Sequence, residues 1–518
     1  MPLSKIPAKI LKKVACVRVN EKKCVSLHPF LSAGKVVFLR RVLKNRSEHE
    51  RKNCGYGVIG SRVRLRIWFR EEWGFESPYP HSKMKVERIY RGKNGLRLKN
   101  VGLLLLFLFL YAHAQASYLL IPMDEVQKNH LKAYGVAYWT LQREAEVTWL
   151  LNYRGGTFMT KYAEGIEREC RLRGVTCEVI ADGQSSAILS HIADPGVNMD
   201  AVKLQKAPRI AVYSPKNKLP WDDAVTLVLT YAEIPYDVVY DEEVMAGVLP
   251  GYDWLHLHHE DFTGQYGKFW GNYRNQQWYI EDVRLQEAMA SKLGFSKVSH
   301  LKLAVAHKIR DFVMGGGFLF AMCSAPDSYD VALAAEGVDI CDVMFDGDPM
   351  QPNAQSMLDF SKCFAFKDFR ISTNPTEYEI STIDIDDRAR QKVVNEKNDF
   401  FVLFDFSAKW DWVPTMLTQN HTRVVHGFMG QTTAFRRELV KSSCVILAEN
   451  KELGEVRYLH GEYGKGTWTF LGGHDPEDYR HFIGDPPTDL SLYPNSAGYR
   501  LILNNILFPA AKKEKHKT

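Results

Sequence analysis

Two hydrophobic rhythms alternate along the chain from residue 117 onward, and the switches between them mark out the elements. Short, almost unbroken apolar runs at 209–213, 237–240, 253–258 and 318–322 have the composition of strands buried on both faces. Between them, residues 222–233 and 300–314 repeat apolar side chains at helical spacing. Strands and helices in alternation predict an α/β domain, a parallel sheet with helices on both faces, over residues 206–512. The rhythm lapses over 342–440, which reads as an insertion. It resumes with strands at 444–447, 456–460 and 466–470 and a closing helix at 497–507.

Residues 117–205 carry a different mixture and predict a small separate α/β unit. A helical pattern starts at His130, a strand follows over 147–153, and a second helix is expected from Met159 to Arg173, closed by Gly174. A strand is expected over 175–180. Asp194-Pro-Gly and the polar stretch 203–208 read as linker. No internal repeat is visible.

Ahead of this lies a segment of another kind. Arg91, Lys93, Arg97 and Lys99 precede an uncharged, largely apolar run from Val101 to Tyr111, followed by Ala112-His-Ala-Gln-Ala116. Basic residues, a short apolar core and alternating small residues predict a secretory signal peptide over 84–116, cleaved after Ala114 or Ala116. The run is shorter than the roughly 20 apolar residues of a bilayer span, so no stable membrane anchor is expected after cleavage. Met84 opens a natural basic n-region, so translation is expected to begin there. Residues 1–83 then read as a mis-assigned, disordered leader.

Charge sharpens that division. The chain has 518 residues and a formal charge of +6, which taken whole hints at a polyanion partner. Residues 1–116 hold 25 Lys and Arg against 7 Asp and Glu, a balance of +18; the remainder holds 42 against 54, a balance of −12. The part expected to act is acidic, so no nucleic-acid partner is expected. With 45% hydrophobic residues and a mean hydropathy of −0.27, the chain has globular composition, neither disordered nor polytopic. Six cysteines follow residue 116: Cys170, Cys177, Cys323, Cys341, Cys363 and Cys444. That is too sparse for a disulfide scaffold, though Cys170 and Cys177 could bridge a helix end to the next strand.

Ligands of open α/β sheets bind beyond the carboxyl ends of the strands, and three such ends carry reactive residues. After the 318–322 strand, Cys323 stands at a sharp turn with a helix behind it, an arrangement that projects a nucleophile. After the 466–470 strand comes Gly472-Gly-His474-Asp-Pro-Glu477, a base with carboxylates beside it. After the 253–258 strand comes His256-Leu-His258-His259-Glu260-Asp261, able to donate hydrogen bonds to a substrate or to hold a metal through His256 and His258.

The segment from Gly315-Gly-Gly-Phe to Cys323-Ser-Ala and the segment from Tyr463-Gly-Lys-Gly-Thr to Gly472-Gly-His474 resemble class I glutamine amidotransferase-like proteins. Within that superfamily they are most similar to the trehalose-utilisation-like branch. The resemblance spans roughly residues 208–510. It implies a flavodoxin-like fold, Cys323 as nucleophile, His474 as base and Glu477 as the residue that orients it. This chain has Ala321 and Ala325 where amidotransferases usually carry glycines, and two residues rather than one between His474 and Glu477. The chain after residue 116 also resembles exported bacterial proteins labelled asparagine synthetase B, through Asn129-His-Leu-Lys-Ala-Tyr-Gly, Trp149-Leu-Leu-Asn-Tyr-Arg-Gly-Gly and His256-Leu-His-His-Glu-Asp-Phe-Thr-Gly. No ATP-pyrophosphate loop of Ser-Gly-Gly-x-Asp-Ser type occurs, which argues against synthetase chemistry.

These features lead to the expectation of an exported thiol hydrolase or amidase acting on a small amide or ester. Ser324, His258, His259 and Glu260 would bind substrate or the oxyanion, and no cofactor would be required. The alternative is a non-catalytic carbohydrate- or metal-binding module on the same fold, with the aromatic stretch 269–279 able to stack on sugar rings.

Overall fold

The computed structural model describes residues 117–217, 219–385, 399–428, 433–478 and 482–511, together with three short strands nearer the start. Those three, Ala15–Asn20, Lys23–Ser26 and Trp68–Phe69, form a small antiparallel sheet within the segment read as a disordered leader. The expected signal peptide, 84–116, lies outside the described residues. No helix among the described residues is long and apolar enough to cross a membrane.

The first sheet after residue 116 is antiparallel throughout. Its strands are β1 (Tyr118–Ile121), β2 (Val147–Leu151), β3 (Thr157–Lys161), β4 (Glu178–Ile180) and β5 (Asp200–Leu204), in the order β4-β1-β3-β2-β5. The helix expected from Met159 divides in two. Thr157-Phe-Met-Thr-Lys forms β3, because Gly155 and Gly156, both at positive φ, turn the chain back onto β2 as a hairpin. The helix proper, α2 (Glu164–Arg173), starts later and ends at Gly174 in the left-handed conformation. Helix α3 (Asp182–Ala193) is not among the expected elements, and β5 runs into the stretch 203–208 expected to be linker.

One helix of this region, α1 (His130–Leu141), lies against the main sheet's α4 (Ala224–Ala232). Gly135 permits the contact, since a Cβ there would stand 1.9 Å from the Ala232 carbonyl oxygen. Asn129 Nδ2 donates to the Tyr231 hydroxyl at 2.7 Å, and the buried Arg500 donates to the Met123 carbonyl at 2.9 Å.

The main sheet contains β6 (Ile210–Tyr213), β7 (Asp237–Val239), β8 (Trp254–Leu257), β9 (Phe318–Met322), β10 (Phe400–Leu403), β11 (Val424–His426), β12 (Val445–Asn450), β13 (Glu455–Tyr463) and β14 (Gly466–Leu471). Their order is β7-β6-β8-β9-β14-β13-β12-β10-β11. The first five run parallel and the last four antiparallel. Along β6, Ile210 and Val212 enter one core while Ala211 and Tyr213 enter the other, so the sheet is covered on both faces. Helix α4 and the last helix, α8 (Ala497–Leu507), pack into the first core; α6 (Val298–Gly315) and α7 (Ala325–Ala334) pack into the second. An intervening helix, α5 (Gln277–Lys292), was not signalled by the sequence pattern. The stretch read as an insertion contributes β10 and β11 to the sheet edge. It also folds back so that the buried Asp330 carboxylate accepts the backbone N–H groups of Phe364, Ala365 and Phe366 at 2.7–2.9 Å.

Candidate functional site

Beyond the carboxyl ends of β8, β9 and β14, three loops meet. The chain leaves β9 at Met322, and Cys323 adopts φ 55° before α7 begins at Ala325. A non-glycine residue in that left-handed region is strained, and it persists only where neighbours fix it. Here they do: Cys323 N–H donates to the Gly473 carbonyl at 3.1 Å, and Ala325 N–H donates to the His258 carbonyl at 3.0 Å. Ser328 Oγ donates to the Glu260 carbonyl at 2.7 Å. The three loops are thereby stitched to one another through backbone groups. Cys323 itself is 2% exposed and not in a disulfide. Ser324 is buried, with its hydroxyl oxygen outside any hydrogen bond.

Next to the cysteine elbow lies a packed group of imidazoles. The His258 and His259 rings stack with centroids 3.8 Å apart, and His474 stands 4.6 Å from the first and 4.4 Å from the second. His474 Nε2 and His259 Nε2 are 3.0 Å apart, and His259 Nε2 is also 2.9 Å from the Asp222 carbonyl oxygen. A carbonyl only accepts, so that contact places a hydrogen on His259 Nε2 and makes His474 Nε2 the acceptor of the pair. Trp221 packs against the outer side of His259 with centroids 5.5 Å apart.

Asp223 anchors this group from the loop after β6. Its Oδ2 lies 3.1 Å from His258 Nδ1 and 3.2 Å from His256 Nε2, and its other oxygen caps α4 through Thr226 N–H at 2.8 Å. Burial pushes the carboxyl up, yet the attraction of His256 and His258 outweighs it and holds Asp223 well below the usual carboxylate range. Burial pushes the His256 imidazole down, against the pull of Asp223. His256 also faces inward, with Nδ1 3.3 Å from the Phe320 carbonyl. Glu260, at the end of the same loop, is pushed up to about 8, chiefly by burial and, among its charged neighbours, by Asp282, Asp241 and Asp223 against the pull of Lys302.

The sequence-predicted residues thus separate into two groups. Cys323, Ser324, His258, His259 and His474 come together through the loop contacts above. Glu477 points elsewhere: its carboxyl is hydrogen-bonded to Ser496, near His426, and it lines a groove of about 680 Å³ with His421 and Tyr493. The nearer carboxylate, Asp475, is committed to the loop itself. Its Oδ2 accepts from Thr488 Oγ1 and the Tyr499 hydroxyl, each at 2.8 Å, and its Oδ1 accepts Glu477 N–H at 2.8 Å. Asp223 escaped the sequence reading, where it was simply the start of a helix; a Trp-Asp-Asp run after the first parallel strand was its only mark. The aromatic stretch 269–279 packs largely on itself and on Trp221, through Phe269, Tyr273 and Trp278.

No family model matches the chain, and no curated protein matches it. Among solved structures, the cytoplasmic protein STM3548 from Salmonella typhimurium aligns at 9% identity and a TM-score of 0.29, over 59% of this chain and all of its own. The cytoplasmic protein STM1381 from Salmonella typhimurium LT2 aligns at 13% identity and a TM-score of 0.27, with the same coverage. An exo-beta-1,4-mannosidase, Op5Man5 from Opitutaceae bacterium strain TAV5, aligns at 12% identity and a TM-score of 0.22, over 60% of this chain and 34% of its own.

Proposed function

We propose that this protein is an exported thiol hydrolase acting on the amide or ester bond of a small molecule, built on a flavodoxin-like, amidotransferase-like sheet. The parallel strands in the order β7-β6-β8-β9-β14 support that fold reading, since in chain order they run 2-1-3-4-5. The observation that carries the functional reading is Cys323 at φ 55°, between the end of a buried parallel strand and a helix start. This is the strand-turn-helix geometry that presents a nucleophile.

In this mechanism the Cys323 sulfur attacks the substrate carbonyl carbon, and its proton passes to His474. The N–H groups of Cys323 and Ala325 are already given to Gly473 and His258, so Ser324 N–H is assigned to the oxyanion. Collapse of the tetrahedral adduct breaks the C–N or C–O bond, and His474 returns the proton to the departing amine or alcohol. Water then hydrolyses the thioester by the same route in reverse. Glu477, the orienter that the resemblance implied, is replaced as the neighbour of His474 by His259, whose N–H the thiol proton displaces at His474 Nε2. No cofactor enters these steps.

The test is turnover on a panel of small amides and esters. Cys323→Ala should abolish activity on any substrate found, by more than about 1,000-fold, while circular dichroism and thermal unfolding stay close to wild type. Unchanged turnover in the folded variant would reject the thiol mechanism.

A further inference from the structure

Three groups of side chains among the described residues have the composition of a metal site, and they are not equivalent. In the set Asp339, Cys341 and Asp346, Lys297 already supplies the cation, with Nζ 2.6 Å from Asp339 and 2.9 Å from Asp346. In the set Asp223, His256 and His258, the carboxylate already faces both imidazoles, 3.2 Å from His256 Nε2 and 3.1 Å from His258 Nδ1. The third set is different. His258, His259 and His474 each offer one ring nitrogen within 4.8 Å of the other two, and all three donors are imidazoles.

We infer that His258, His259 and His474 form a binding site for one divalent transition-metal ion of the zinc class. Three observations carry this. His258 is 2% exposed and its Nε2 is buried outside any hydrogen bond, a costly state for a polar nitrogen that a metal relieves. His258 Nδ1 lies 3.1 Å from the Asp223 carboxylate, on the opposite side of the ring from Nε2. A carboxylate is an outer partner that metal-binding histidines ordinarily carry, because it fixes the tautomer and raises the basicity of the opposite nitrogen. The donor set is all imidazole, which selects zinc, copper, nickel or cobalt over magnesium and calcium. Nitrogens around one tetrahedral zinc stand roughly 3.4 Å apart, and these three lie within 4.8 Å of one another.

The consequence for the site is specific. A metal held here takes the His474 lone pair that the thiol mechanism needs as its base. Metal loading and thiol turnover then exclude one another, and zinc acts as an inhibitor at the same residues. The binding itself does not rest on the thiol reading; only this antagonism does.

The test is zinc binding to the purified full-length protein, after chelator treatment, by competition with a chromophoric chelator. Wild type should bind one equivalent with micromolar or tighter affinity, and zinc should raise its Tm. Loss of an outer partner of a metal-binding histidine costs roughly 10–100-fold, so His258→Gln and His474→Gln should weaken binding by more than about 100-fold. His259, the least buried of the three, allows His259→Gln as the variant that best preserves folding, with the same expectation. Cys323→Ala should keep the full equivalent. No binding above a surface background, binding unchanged in the folded histidine variants, or zinc lost with Cys323→Ala would each overturn the three-histidine site. A folded Cys323→Ala protein that still turns over substrate rejects the thiol mechanism and leaves this site standing.

Discussion

At Cys323 a side chain occupies backbone space that costs an L-residue on the order of 1–3 kcal/mol. The fold bears that cost through two backbone hydrogen bonds from neighbouring loops, and the position is therefore set by the loops as much as by the strand. Buried titratable residues elsewhere leave a different signature. His460 on β13 is buried, with Nδ1 3.3 Å from Thr469 Oγ1, and burial pushes its imidazole down to about 4. The unfolded chain takes up a proton at this residue below about 6.5, while the folded chain stays neutral until about 4. The folded state thus loses stability as pH falls through that window, and none is lost above it. His460→Gln removes the titration, so urea unfolding should find its deficit relative to wild type about 2 kcal/mol smaller at pH 5 than at pH 7. An equal deficit at both values would show that the ring is protonated in the folded protein.

Elements here are decided by what packs on them. Alanine is the better helix former by roughly 1 kcal/mol, so propensity alone makes Gly135→Ala in α1 stabilising. Packing reverses the sign, because the new Cβ would stand 1.9 Å from a backbone oxygen of α4 that cannot move aside without the helix. Thermal or urea unfolding of Gly135→Ala should show a loss of about 2–3 kcal/mol. A gain would mean that α1 and α4 are not in contact. The same competition explains which elements the sequence pattern revealed. Strand Phe318–Met322 and helix Ala497–Leu507 have long, consistent patterns because each is buried over most of its length. Met159–Lys161, expected to open a helix, belong to a strand instead, since a buried antiparallel strand without alternation carries no period-two signal. Helix Gln277–Lys292 went unseen for the opposite reason: only Tyr279 and Ala290 are buried in it, so its apolar stripe is thin.

On the scale of the whole molecule, the acidic portion after residue 116 carries the two sheets and the candidate site, while the basic balance of +18 belongs to residues 1–116. On the export reading, N-terminal sequencing of the natural protein should give a start near Ser117. A start at Met1 would overturn that reading and return the basic segment to the functioning protein. Residues far apart in the chain hold the remainder together: Arg500 reaches Met123, and Asn495 Oδ1 accepts His130 N–H at 3.0 Å. The sequence by itself determined the alternation of buried strands and helices, the change of charge balance near residue 116 and the three strand-end clusters, because each is a local pattern of apolar, charged or reactive residues. Only the tertiary structure decided which members of those clusters meet. His259 rather than Glu477 touches His474, and Asp223 reaches His258 across 35 positions of sequence, because loop direction and sheet order depend on contacts that no local pattern encodes.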